Sequence, residues 1–311
     1  MNKNQIIHMF HSSKDFKIKY EANMESSNKN SIRAWLAVPQ NSNRQKINSF
    51  SVSPKPKKEY KDTQGNKILC FYFKDEKEIK IDMEIETTLW KEKIDLKEEN
   101  FRIPSRSSEV YKRYTKSERF LEKTEDIKKL AKSITKNDDR NLSMLKSIFD
   151  HIVENFRYCY PVKKRGVKNS DLKNLKGDCG EYSSLFVAMC RSMGIPAKNQ
   201  TGYVIFPKER SVVEHGWASV YLSSEGWVDF DTQYASLEND KSSYFAKRDD
   251  HRIVFTEGFN IPLKPAIPDG FDTSYWNNLG LPLTKSSVQT LQPLVFVSKS
   301  KVNFKDSISL L

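Results

Sequence analysis

Two spacings of apolar residues divide the chain. Up to about residue 105, apolar positions come in short runs of strand length: Phe16–Tyr20, Ile32–Val38, Ile47–Val52, Ile68–Phe73 and Ile79–Ile85. The last alternates without a break through Ile79, Ile81, Met83 and Ile85. Successive side chains on a strand point to opposite faces, so this spacing predicts β structure. Pro39, Pro54, Pro56 and Gln64-Gly65-Asn66 supply the turns between the runs. Successive strands with no helical pattern between them predict an antiparallel β-sandwich, not a parallel sheet with crossover helices.

Beyond Ile103-Pro104-Ser105-Arg106-Ser107-Ser108, the predicted linker, the period lengthens to about 3.6. A helix from near Thr124 aligns Ile127, Leu130, Ala131 and Ile134. A second, from near Asp139, turns Leu142, Leu145, Ile148, Phe149, Ile152 and Phe156 inward. After a loop through Lys163–Lys176, a third apolar run carries Leu185 to Met193 and stops at Gly194-Ile195-Pro196. Three strands follow, Asn199–Phe206, Gly216–Leu222 and Gly226–Phe230. Helices followed by strands read as an α+β unit. The expected organisation is therefore a β-sandwich over residues 1–105 and a second domain over 106–311, its core at about 140–235. The tail from about 245 carries Ile253-Val254-Phe255 and Leu291–Val297 as extra strands or wrapping coil.

The third helix opens on Gly177-Asp178-Cys179-Gly180-Glu181-Tyr182. A cysteine at a helix N-terminus meets unpaired N–H groups and the positive end of the dipole, which favour a thiolate and a pKa below the usual ~8.5. Downstream lie His215, in Glu214-His215-Gly216-Trp217, and two aspartates in Trp227-Val228-Asp229-Phe230-Asp231. A thiol nucleophile needs an imidazole to move its proton and an acceptor to orient that imidazole. Asp229 and Asp231 compete for the acceptor position, and alternation sends both to the same face. Trp217 and Trp227 read as packing residues before substrate contacts, and Glu181 as a helix-start charge or a catalytic carboxylate.

The wording around these residues resembles the transglutaminase-like superfamily: Gly177-Asp178-Cys179 opening a helix, His215-Gly216-Trp217 opening a strand, and Trp227-Val228-Asp229-Phe230-Asp231-Thr232. Arg191-Ser192-Met193-Gly194-Ile195-Pro196-Ala197-Lys198 and Thr201-Gly202-Tyr203 are similar to the family's link from the helix to the first strand. The likeness is closest over Leu142–Tyr234, and a preceding β domain is similar to bacterial members. The resemblance implies a papain-like α+β core with Cys179, His215 and Asp231 as its catalytic group, the family's spacing from the Trp selecting Asp231. It also implies an oxyanion donor upstream of the cysteine, beside the Cys179 N–H. Asn155, Tyr158 and Tyr160 are in range, and Tyr158 is the choice. Thr232 stands where the family usually has Pro. The similar peptide:N-glycanase branch carries paired C-x-x-C zinc motifs that are missing here, which sets deglycosylation aside.

The implied chemistry is attack of the Cys179 thiolate on the amide of a protein, peptide or small molecule, giving a thioester. With no D-x-D-x-D-G calcium loop in the sequence, hydrolysis is favoured over amine transfer. No cofactor or metal is called for. The competing reading is a binding or scaffold protein that keeps the fold without catalysis.

Charge and cysteine usage narrow the setting. The 311 residues carry a net charge of +12, yet the lysines of 55–61, 163–168 and 299–301 are short scattered clusters without a nucleic-acid-binding signature, and read as solvated surface. No apolar run reaches the roughly 20 residues a membrane helix needs, and Met1–Phe10 does not resemble a secretory signal. Cys70, Cys159 and Cys190 read as small core residues beside the reactive Cys179. The absence of C-x-x-C pairs fits a reducing, cytoplasmic setting. His8, His11, His151 and His251 lack comparable surroundings and read as surface or capping residues.

Overall fold

The computed structural model describes residues 12–138 and 140–311, so His8, His11 and Asp139 lie outside the described residues. In the first part of the chain the alternating pattern becomes strand, but four of the expected short strands merge into two long ones. β1 (Ser12–Val38) holds the first two and β4 (Lys67–Lys93) the last two, each 27 residues long. Neither span contains a Gly or Pro to stop it. The polar middle, Glu25 to Asn30, reads locally as a loop, yet the pairing continues across it with register shifts on either side of Asn30. Asp75, at φ 58°, marks the matching irregularity in β4.

β2 (Gln45–Ser53) and β3 (Lys58–Lys61) pair with β4. The other edge is completed from the far end of the chain: 303–310 runs along the first half of β1 and 294–298 along its second half. With the two-residue strand 247–248 also paired to β4, the result is one antiparallel seven-stranded sheet whose halves share a core that includes Ile18, Tyr20, Met83 and Ile85 with Trp35, Leu36 and Phe71. Tyr203, Ile205, Ile253 and Phe255, from the second sheet, lie in the same core. At about 1.5–3 kcal/mol for each fully buried large apolar side chain, this is a strong junction.

In the α+β part, α1 (Glu109–Tyr114) precedes α2 (Glu125–Ile134), where the Thr124 hydroxyl accepts the Ile127 N–H at 3.3 Å, as the cap pattern predicts. α3 (Asn141–Asn155) buries Leu142, Leu145, Ile148, Phe149 and Ile152. A short parallel bridge of β5 (Arg157–Tyr158) and β6 (Lys176–Gly177) leads to α4 (Cys179–Ser192), which ends before Gly194 at φ 79°. β7 (Ala197–Phe206), β8 (Ser211–Leu222) and β9 (Gly226–Phe230) follow, then α5 (Thr232–Leu237), β10 (Lys247–Arg248) and β11 (Arg252–Glu257). The second sheet is antiparallel in the order β11-β7-β8-β9, and α4 packs across it.

Gly202 lets β11 come close: a Cβ there would lie 1.9 Å from the Ile253 carbonyl oxygen. The remaining chain forms β12 (Ile261–Pro262), β13 (Ser287–Val288), α6 (Ser274–Asn278) between them, and then β14 (Leu294–Ser298) and β15 (Asn303–Leu310). The tail that pattern alone did not place thus supplies edges to both main sheets.

Candidate active site

Cys179 is the first residue of α4. Asp178 caps that helix, its carboxylate accepting the Gly180 N–H at 2.9 Å. β8 passes directly over the sulfur. A Cβ on Gly216 would sit 3.9 Å from Sγ, and the Gly216 backbone N–H points to it. The thiol is nevertheless pushed up, first by burial and then by the Asp178 charge, with the Gly216 N–H and Arg165 pulling the other way. This is opposite to what the helix start alone predicts. The capping group that begins the helix is itself a carboxylate beside the sulfur.

His215 precedes Gly216 on β8 and is buried. Its Nε2 lies 2.7 Å from Asp231 Oδ2. Burial works against ionisation of Asp231, but the charges of His215 and Arg252 hold it well below the usual carboxylate range. An anionic carboxylate only accepts, so Nε2–H donates and Nδ1 is left as the basic nitrogen. The Trp217 ring stacks on the imidazole with centroids 5.8 Å apart, and the Tyr234 ring meets it edge-on at 4.6 Å.

Asp231 serves a second purpose as the cap of α5, its Oδ1 accepting the Tyr234 N–H at 3.0 Å. Its Oδ2 also accepts from Arg252 Nη1. Arg252 in turn donates from Nε to Asp249 at 2.9 Å and lies over the rings of Trp217, Tyr234 and Tyr244.

The structure separates the two competing aspartates. β9 ends at Phe230, so Asp231 leaves the strand as a helix cap, while Asp229 stays in the ladder and accepts Trp217 Nε1–H at 3.2 Å, with Arg248 3.6 Å away. Tyr158 and Tyr160 line the cleft beside Cys179 and are 57% and 62% exposed. Asn155 turns back along α3, donating to the His151 carbonyl at 2.8 Å. Trp227 packs edge-on against Tyr114 and Tyr221, below the Lys198 ammonium. His251 pairs with Asp250 at 3.0 Å. Cys70 and Cys190 are buried as expected, but Cys159 is exposed. The correction follows from the β5–β6 bridge, which is two residues long and has no sheet behind it to cover that side chain.

Glu181 is more than a helix-start charge. Arg165 reaches Asp178 at 2.6 and 3.0 Å and Glu181 at 2.8 Å, and its Nε donates to the Gly280 carbonyl at 2.6 Å. Burial and the Asp178 charge raise the Glu181 carboxyl despite the arginine.

Residues 128–232 match the transglutaminase-like superfamily. The matched segment, about a third of the chain, is similar to transglutaminase-like domains. It contains Cys179, His215 and both aspartates. The fold extends further: a proposed cysteine protease from Cytophaga hutchinsonii superposes with a TM-score of 0.65 over 96% of this chain and 91% of its own, at 15% identity. The periplasmic domain of TgpA from Pseudomonas aeruginosa gives a TM-score of 0.38 at 12% identity, over 73% of this chain and 93% of that domain. In sequence, the uncharacterized protein YebA of Bacillus subtilis is 27% identical over 142 residues, 38% of this chain and 19% of YebA. The chain thus matches about a fifth of the length of that curated relative.

Sequence reasoning missed two arginines, Arg165 inside the matched segment and Arg252 beyond it. Arg252 heads a strand that is visible in the pattern, but nothing local ties it to Asp231. Arg165 hides in the basic run 163–168, which reads as solvated surface. Among the described residues no helix is long and apolar enough to cross a membrane.

Proposed function

We propose that the protein is a cysteine hydrolase that cleaves amide or peptide bonds through a thioester on Cys179. The observation that carries this reading is the hydrogen-bonded, tautomer-fixed His215 next to Gly216, the residue that meets the Cys179 sulfur. Because burial and Asp178 keep the resting sulfur protonated, proton transfer to His215 Nδ1 accompanies attack on the substrate carbonyl. The C–S bond forms, the C–N bond breaks, and the imidazolium returns its proton to the departing amine. Asp231 stabilises the imidazolium meanwhile. The Cys179 N–H at the helix start is the first oxyanion donor and Tyr158 the second. Water then cleaves the thioester. Amine capture is the competing outcome, since the nucleophile does not choose the acceptor.

The division at residue 105 belongs to the same proposal, with the first unit contributing none of the reacting groups and its sheet completed by strands from 294–298 and 303–310. So does a cytoplasmic location, supported by four free cysteines. The test uses the full chain with a panel of peptides and small amides, quenched in acid and read by mass. An acyl adduct on Cys179 that is lost in Cys179→Ala supports the proposal, and added hydroxylamine reports how water and amine share the intermediate. A folded protein that never acylates Cys179 would favour the scaffold reading.

A further inference from the structure

The cleft beside Cys179 encloses about 320 Å³. Its apolar lining comes from outside the transglutaminase-like segment: Phe259, Trp276, Leu279, Leu281 and Leu294 all belong to the tail after β11. This wall is fixed. Trp276 donates from Nε1 to the Phe296 carbonyl at 2.7 Å and packs edge-on against Phe296 and Phe304. Gly280, at φ 78°, comes so close to the 160–166 loop that a Cβ would lie 2.5 Å from the Val162 carbonyl oxygen. Arg165 then ties the Gly280 carbonyl to the Asp178 cap of the nucleophile's helix.

Tyr158, Tyr160 and Glu214 line the cleft as exposed side chains, and several of its other polar groups are engaged within the protein. Arg165 and Asp178 pair, Thr290 donates to Thr201 at 3.0 Å, and Gln292 donates to the His215 carbonyl at 3.2 Å. Gln289 differs. It lines the cleft, is 2% exposed, and its Oε1 has no hydrogen-bond partner among the described residues.

We infer that the acyl donor is a peptide with an apolar side chain beside the scissile amide, taken by Trp276, Leu279 and Leu281, and with a backbone N–H that Gln289 Oε1 accepts. This rests on the proposed thioester chemistry at Cys179. A buried acceptor left unpaired is costly, so a ligand N–H gains more there than at an exposed site. A fixed apolar wall discriminates against charge by desolvation. Trp276, Leu279 and Leu281 would be specificity-determining residues of the cleft, with no part in bond making.

The test compares kcat/KM for peptides with Leu, Phe, Gly, Lys or Asp at the acyl residue, plus a Leu peptide N-methylated on its backbone. Leu and Phe should exceed Lys and Asp by about tenfold or more, and N-methylation should remove much of the gain. Leu279→Asp, at a 48% exposed rim position, should fold and should reverse the order toward Lys. Trp276→Ala should weaken the apolar preference, lowering the ratio of kcat/KM for Leu over Lys several-fold. Equal acylation by all side chains, or a Leu279→Asp variant with an unchanged order, overturns this inference and leaves the thioester chemistry standing. No acylation by any peptide, with Cys179 still alkylated, overturns the chemistry beneath it.

Discussion

Two arginines in this molecule each face a pair of acidic side chains, and the pairs behave differently. Arg252 holds Asp231 and Asp249. In both, burial opposes ionisation, yet both carboxyls lie below their ordinary range, Arg252 acting on each and His215 adding to it at Asp231. Arg165 holds Asp178 and Glu181, and only Asp178 goes down, again against burial, while Glu181 goes up. Geometry supplies the reason. Asp231 has His215, Arg252 and the Tyr234 N–H, and Asp249 adds the His251 N–H at 2.9 Å and is partly open to solvent. Glu181 has one shared guanidinium and a Gly166 N–H at 3.4 Å, with the Asp178 charge beside it. A buried carboxylate stays charged when its own donors outnumber its acidic neighbours. At His215 this yields a permanent anion that fixes the imidazole. At the helix start it yields one anion and one raised acid, and the anion raises the thiol.

The largest test of this contrast is Asp231→Asn. It removes the charge that orients His215 and leaves Arg252 with only Asp249. Turnover on any substrate that acylates Cys179 should fall on the order of 10⁴-fold. Unlike a change at an exposed acid, it should also destabilise the fold by about 3–5 kcal/mol, because a buried pair loses one partner. Chemical denaturation and single-turnover acylation measure the two effects separately. Asp229→Asn, which touches Trp217 and not His215, should keep far more activity. A larger activity loss at Asp229 would exchange the two roles. The sign with pH follows from the depressed carboxyl: Asp231 contributes stability above the unfolded carboxylate value, and that contribution is lost as pH falls through its lower folded value.

The reach of sequence reasoning can be traced along the same two networks. Cys179, His215 and the helix start were legible because each is a local word: a cysteine between two glycines ahead of an apolar run, and a His followed by Gly-Trp in a strand-like segment. Both aspartates were visible, but periodicity could not say that the strand ends between them. Arg252 and Arg165 were out of reach because their meaning lies in partners that the sheet order brings near. The long strands were read as four because the polar stretches Glu25 to Asn30 and Lys74 to Glu78 resemble loops to any local rule, and it is contacts with distant strands that carry the chain through them. The apolar wall of the cleft was invisible for a related reason, since the tail carrying it has no strong period of its own.

A smaller effect is expected from Asp178→Asn. Asparagine caps a helix as well as aspartate does, so α4 should still begin at Cys179. The negative charge beside the sulfur is gone, so the thiol should fall, while burial still holds it above the ordinary ~8.5. Iodoacetamide alkylation of Cys179, followed by mass across pH, should midpoint above that value in the parent protein. At pH 7.5 it should run several-fold to about tenfold faster in the variant, tenfold corresponding to one pKa unit. An unchanged profile would mean that burial alone raises the thiol and that the cap carboxylate is electrostatically silent.

The smallest effect separates the two arginine networks most directly. If Glu181 is neutral in the folded chain, glutamine should replace it with little loss, since an amide can still accept from Arg165 and donate to Asp178. The sign is fixed by linkage. Between the ordinary carboxylate value and the raised folded value, the folded chain holds a proton that the unfolded chain has released, so stability declines as pH rises across that window. Glu181→Gln has no such proton. Its unfolding free energy should therefore match the parent's at pH 5 and exceed it at pH 8.5, by on the order of 1 kcal/mol. Urea unfolding at the two pH values measures this. If the glutamine variant is instead weaker at both, Glu181 is ionised, Arg165 supports two anions as Arg252 does, and the contrast between the two networks disappears.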